Sequence, residues 1–206
     1  MIWLQRHGCT GWTDEVLDAI IDIGRDRGVV EIGAGNGQWA RALMERYQMG
    51  NETRINQRRK KFDFVLAYDD QSELPLDQRV FNKKTKIHNE FFYNKVKKCD
   101  SNFSHALCQW QCRGRVLLLV YPPPGSMALD AILQYIGTSP MNDTVVYVGE
   151  GRGGANANDA LFDQFESGEW VLLRVVQVKT FGSKGYEQLY ILQRKSPDQG
   201  LTEPAH

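Results

Sequence analysis

The stretch Val29-Val30-Glu31-Ile32-Gly33-Ala34-Gly35-Asn36-Gly37-Gln38-Trp39-Ala40 constrains the fold more than any other part of the chain. Val29, Val30 and Ile32 are apolar and β-branched, which suits a strand covered on both faces. Gly33, Gly35 and Gly37 follow at once, and glycine lets a backbone turn tightly and come close to another group. From Ala40 onward Leu43, Met44 and Tyr47 recur at helical spacing. A strand, a glycine turn and a helix in that order aim a helix N-terminus into the turn, where negative groups are favoured.

The turn departs from the dinucleotide fingerprint G-x-G-x-x-G, because its sixth position is Gln38. The pattern is E-x-G-x-G-x-G, from Glu31 to Gly37. It resembles the first motif of the class I, Rossmann-like methyltransferases, which bind S-adenosylmethionine. The resemblance implies that Glu31, Gly33, Ala34, Gly35, Asn36 and Gly37 lie against the methionine and ribose portion of that cofactor. A dinucleotide turn and a plain glycine turn before an ordinary helix are the competing readings.

Length and composition fit one α/β domain, expected over residues 1–195, with a disordered tail at 196–206. The 206 residues are 42% hydrophobic and 24% charged with no net charge, which excludes a generally nucleic-acid-coating surface. Residues 51–98 nevertheless carry 12 Lys and Arg against 7 Asp and Glu. That segment reads as a solvated insertion or a local basic face. Cys9, Cys99, Cys108 and Cys112 match no zinc spacing, so no metal is expected. No apolar run approaches the roughly 20 residues of a membrane span, and a cytoplasmic protein with reduced thiols and no membrane contact is the plain expectation.

Elsewhere the chain alternates strands and helices. Thr13 is placed to cap a helix carrying Val16, Leu17, Ile20, Ile21 and Ile23 and ending near Gly24 or Gly28. A polar loop is expected over 50–61. Residues 62–68 then form a strand that ends in Asp69 and Asp70, and a carboxylate there suits a ribose. Asp69, directly at the strand end, is preferred. Phe91, Phe92, Tyr93 and Val96 suggest a segment near a third strand, followed by Asp100 and Ser101. The resemblance implies that Asp100, with Ser101 beside it, meets the adenine amino group, and Asp100 equally reads as the cap of a helix over 103–111.

Arg115 to Val120 is a buried strand ending in Tyr121-Pro122-Pro123-Pro124-Gly125. Its helix should follow Ser126 and stop at Gly137. The motif is similar to the D/N-P-P-Y/F of amino-group methyltransferases, with Pro122 and Pro123 matching, Tyr121 in place of the acid or amide and Pro124 in place of the aromatic. Tyr121, Pro122 and Pro123 are therefore the substrate-side candidates, and Tyr121 and Glu150 the catalytic ones. The stiff Pro122–Pro123 backbone is expected to present carbonyls to an acceptor. His105 is a further candidate base. Thr144 to Glu150 is a fifth strand, with a glycine-rich loop after it as a lid or a simple turn. Residues 169–181 and 186–194 read as a hairpin with Val171, Leu173, Val175 and Val178 set against Leu189, Ile191 and Leu192.

The resemblance thus implies a seven-stranded, mostly parallel sheet with helices on both faces, strand order 3-2-1-4-5-7-6 and a C-terminal antiparallel hairpin. It implies a methyltransferase using S-adenosyl-L-methionine on an unidentified acceptor, a small molecule or protein. A catalytically inactive cofactor-binding interaction protein is the alternative. A nucleic-acid methyltransferase is a third and weaker one, raised only by the basic segment.

Overall fold

The computed structural model describes residues 2–51, 63–72, 90–181 and 185–196. The expected loop over 50–61 lies outside these apart from Gly50 and Asn51, which belong to a helix. Residues 182–184 of the expected hairpin, the expected tail from 197 onward and most of the basic segment also lie outside them.

Seven strands make one sheet in the order β3-β2-β1-β4-β5-β7-β6, the order the resemblance implies. They are β1 (Val29–Ile32), β2 (Val65–Asp69), β3 (Lys97–Lys98), β4 (Val116–Val120), β5 (Thr144–Gly149), β6 (Trp170–Gln177) and β7 (Gln188–Arg194). β1 to β5 run parallel, and β7 is antiparallel to both β5 and β6. The helices are α1 (Ile2–His7), α2 (Asp14–Gly24), α3 (Gln38–Asn51), α4 (Ser104–Leu107), α5 (Met127–Thr138) and α6 (Asp159–Glu166).

β1, β2 and β5 are buried at every position, as parallel strands covered on both faces must be. Alternate residues feed two cores. Val29, Val65, Val116, Leu118 and Val146 pack with Val16, Ile20, Trp39 and Leu43 of α2 and α3. Val30, Leu66, Leu117, Leu119 and Val145 pack with Ala128, Ile132 and Tyr135 of α5 and Leu161 of α6. Thr13 caps α2 as expected, its hydroxyl accepting from the Val16 N–H at 3.2 Å.

Three details differ from the sequence expectation. Gly137 does not stop α5, because Thr138 Oγ1 and Asn142 Nδ2 reach back to the Tyr135 carbonyl at 2.8 and 2.7 Å and satisfy the last turn beyond it. The helix expected over 103–111 is a single turn, α4, and a separate 3-10 turn at Trp110–Cys112. Phe103 stands before α4 at φ 56°, which breaks the helical path. In β6, Val171, Leu173 and Val175 are exposed, since this strand is the sheet edge and carries an irregularity between Leu172 and Arg174.

The amino-terminal edge of the sheet is fastened by Arg115. Its Nη1 donates to the carbonyls of Asp63 and Phe64 at 2.9 and 3.0 Å and, more weakly, of Val29 at 3.4 Å. Its Nε donates to the Gln111 carbonyl at 2.7 Å. One buried cation thus joins the starts of β1, β2 and β4. Hydrogen bonds from charged donors contribute about 1.5–3 kcal/mol. Arg115→Met should therefore lower stability by about 3 kcal/mol, measured by urea denaturation; a loss under about 1 kcal/mol would show that the clamp is dispensable.

Candidate active site

The glycine turn sits at the carboxyl edge of β1, where ligands bind in open α/β sheets. Gly33, Gly35 and Gly37 all have positive φ, at 72°, 56° and 74°. The Gly35 N–H donates to Asp69 Oδ2 at 2.7 Å, and the Ala34 N–H donates to the Tyr68 carbonyl at 3.0 Å. The turn is therefore sewn to the end of β2. The space left by two missing Cβ atoms serves the protein itself. A Cβ at Gly33 would lie 2.7 Å from Met127 Cε, and one at Gly37 would lie 2.6 Å from Tyr93 Cβ and Val96 Cγ2. The segment at 90–96, read from sequence only as apolar, thus packs onto the turn, and the Tyr93 N–H donates to the Asn36 carbonyl at 3.0 Å.

Glu31 is 2% exposed, and its Oε2 is buried with no hydrogen-bond partner. Burial, reinforced by the negative charge of Asp69, pushes its pKa up to about 8, against the pull of the Ala40 amide. Asn36 Nδ2 is likewise buried and unpartnered. An acceptor and a donor, both desolvated, thus stand at the turn.

Asp69 is buried, with Oδ1 accepting from the Gln71 N–H at 2.7 Å while Oδ2 holds Gly35. Asp70 instead folds back on Ser72, accepting from its N–H and hydroxyl at 2.9 and 2.7 Å. Asp100 and Ser101 are exposed just after β3, and Asp100 Oδ2 accepts from the Ser104 hydroxyl at 3.3 Å. Burial, and then the charges of Asp69, Asp100 and Asp70, push the pKa of the Cys99 thiol up to about 12.

Tyr121 leaves β4 at φ 48°, a left-handed conformation that costs a tyrosine about 1–3 kcal/mol. Its N–H donates to the Val148 carbonyl at 2.7 Å, and its side chain belongs to neither buried cluster. Pro122 and Pro123 do not offer free carbonyls. Asn156 Nδ2 donates to the first at 3.1 Å and the Ala157 N–H to the second at 3.3 Å. Asn156 also accepts from the Glu150 N–H at 2.9 Å, and Glu150 Oε2 accepts from the Ala155 N–H at 2.7 Å. The glycine-rich loop is therefore pinned to the end of β4 through Asn156, whose role no local sequence pattern announces. His105 is exposed on α4.

The N-terminal segment covers this edge. Trp39 Nε1 donates to the Thr10 carbonyl at 3.0 Å, and Gln38 Nε2 donates to the Gln5 carbonyl at 3.4 Å. His7 lies between Trp3 and Trp12, with ring centroids 4.4 Å from each. Burial, aided by Arg6 and Lys179, lowers its pKa to about 4, so the imidazole is neutral.

The glycine turn at β1, the acid at β2 and a reversed β7 share one sheet edge and one strand order. The fold is that of the Rossmann-like methyltransferases. No protein-family model matches the chain, and neither does any curated protein sequence. Solved structures do. The chain is similar to a ribosomal protein L11 methylase from Lactobacillus delbrueckii subsp. bulgaricus, with TM-score 0.48 and 13% identity, over 87% of this chain and 77% of that one. A magnesium protoporphyrin IX methyltransferase from Synechocystis gives TM-score 0.46 and 13% identity over 88% and 77%. A precorrin-6y C5,15-methyltransferase from Geobacter metallireducens gives TM-score 0.46 and 15% identity over 88% of each chain.

The raised pKa of Glu31 makes a prediction for the free protein. In the unfolded chain this carboxyl ionises near 4.5, whereas the folded one holds its proton to about 8. The folded state binds more protons across that window, so Glu31 costs stability increasingly as pH rises through it. Glu31→Gln cannot ionise. Its melting temperature relative to the parent should rise between pH 5 and pH 8, read by calorimetry; a constant difference would mean that Glu31 is ionised throughout.

Proposed function

We propose that the protein is an S-adenosylmethionine-dependent methyltransferase acting on an acceptor still to be identified. The observation that carries this reading is the buried, unpartnered pair at the glycine turn, Glu31 Oε2 and Asn36 Nδ2, set beside Asp69. A carboxyl acceptor and an amide donor match the ammonium and carboxylate of an amino-acid ligand. Asp69 stands at the end of β2, where a carboxylate suits a ribose, and Asp100 stands one strand further along for a base. The residues fit the cofactor in sign and in order along the edge.

The cofactor supplies a methyl group on a sulfonium, already activated. What remains for the chain is to hold, align and exclude water. Asp69 keeps the turn rigid through Gly35. The Asn156 clamp fixes the strand ends on the acceptor side. Tyr121 offers an aromatic face, which attracts a cation by about 0.5–2 kcal/mol. A cofactor-binding protein without turnover is the second reading. It is favoured by Tyr121 standing where amino-group methyltransferases carry an acid or amide, and by the engagement of both proline carbonyls.

Calorimetric titration should give binding of S-adenosylmethionine and of S-adenosylhomocysteine. Asp69→Ala should weaken both by about 1–3 kcal/mol, while Asp70→Ala leaves them unchanged. Tighter binding of NAD would reject the reading. For the acceptor side, Tyr121→Gly relieves the positive φ and should keep or raise the melting temperature. Methyl transfer into a cell extract should nevertheless fall with cofactor affinity intact. Full transfer by that variant would remove Tyr121 from catalysis, and no transfer by the parent protein would favour the binding-only reading.

A further inference from the structure

We propose that Glu187, together with Tyr121 and Glu150, forms a binding site for an alkylammonium group, so that the methyl acceptor is an amine. This deepens the methyl-transfer reading and rests on it for the reaction, though the binding of the ammonium stands by itself.

Glu187 immediately precedes β7 and is only 3% exposed. The antiparallel register of β5 and β7 ends at Gly149 opposite Gln188. Continued one step past the strand ends, that register sets Glu150 and Glu187 at neighbouring positions on the carboxyl edge of the sheet. Both are buried. Tyr121 joins them because its N–H is bonded to Val148, two residues before Glu150. Its hydroxyl is held above the ordinary tyrosine range, by burial first and then by Cys9, Glu150 and Glu187. The bond from the Tyr121 N–H to β5 and the β5–β7 register thus bring the three residues to one stretch of the sheet edge.

The two carboxylates are not equivalent. Glu150 Oε2 accepts from the Ala155 N–H and holds the loop. Glu187 Oε2 is buried with no partner. Gln177 spends its Nε2 on the Glu187 carbonyl and on that of Val178. Lys179, two residues beyond, lies over the Trp3 ring. A desolvated carboxyl oxygen without a donor is costly, and a second acid opposite makes the site more negative still. The missing partner must be a donor, and a cation serves best. The face of Tyr121 adds to the same preference.

The chemistry closes with the cofactor as the only co-reactant. The acceptor arrives as R–NH3+ and passes one proton to the Glu187 carboxylate. The freed lone pair attacks the methyl carbon, forming the N–C bond as the C–S bond breaks with its electron pair left on sulfur. The product leaves as R–NH2–CH3+, and protonated Glu187 returns its proton to water. An alcohol would find the same carboxyl but gain no charge pairing on entry.

The test uses the whole protein, isotopically labelled for NMR, with and without saturating S-adenosylhomocysteine. Butylammonium, 1-butanol and butyrate are titrated as three probes of similar size, and binding is followed at the amides of Tyr121, Glu150 and Glu187. Butylammonium is expected to bind at least about tenfold more tightly than 1-butanol, with butyrate excluded. Glu187→Gln should abolish that preference while keeping the affinity for S-adenosylhomocysteine. Equal binding of ammonium and alcohol, no binding of any probe, or a preference unchanged in Glu187→Gln would each overturn the proposal. The comparison of probes on the parent protein decides the matter even if the variant does not fold. Ammonium binding in a protein that fails to bind S-adenosylhomocysteine would sustain this site and defeat the methyltransferase reading instead.

Discussion

The hydrogen bond from the Gly35 amide to Asp69 holds the functional edge of this protein together. A glycine turn is soft by nature, since each glycine has many conformations to lose. Here three positive φ angles are kept by a carboxylate from the next strand, by the Tyr68 carbonyl and by side chains of Met127, Tyr93 and Val96 filling the vacant Cβ positions. The turn is thereby fixed before any ligand arrives. Preorganisation of that kind lowers the ordering cost of binding.

A second constraint is the polar content of the same edge. Glu31, Asn36, Glu187 and His7 each bury an atom with no partner. Unpartnered buried groups cost about 1–3 kcal/mol each in typical proteins. At the opposite edge Arg115 and Tyr135 donate to main-chain carbonyls, while Arg27 Nε and Trp170 Nε1 are buried without a partner.

Much of this was legible in the sequence, for identifiable reasons. β1, β4 and β5 are short apolar runs with glycine or proline at their ends, so hydrophobic pattern and punctuation agree. Thr13 announced α2 because capping is a local event. The end of α5 was not legible, since Asn142 closes it from beyond the helix, and neither was the exposure of Val171, Leu173 and Val175, since a strand's pattern does not say whether it lies at an edge. The proline carbonyls looked available for the same reason: their partners, Asn156 and Ala157, are distant in the chain.

The sequence by itself determined the succession of β1, β2, β4, β5 and the terminal hairpin, the glycine turn and the acid that meets it. These are properties of short windows, in which periodicity and glycine placement express backbone sterics directly. Tertiary structure alone decided that Gln188 pairs with Gly149, which brings Glu187 to the end of β5, that Asn156 joins two loops and that Tyr93 and Val96 close over Gly37. Each of these follows from strand register or from loops meeting at a sheet edge. Register is a non-local quantity, fixed only when whole faces are buried together.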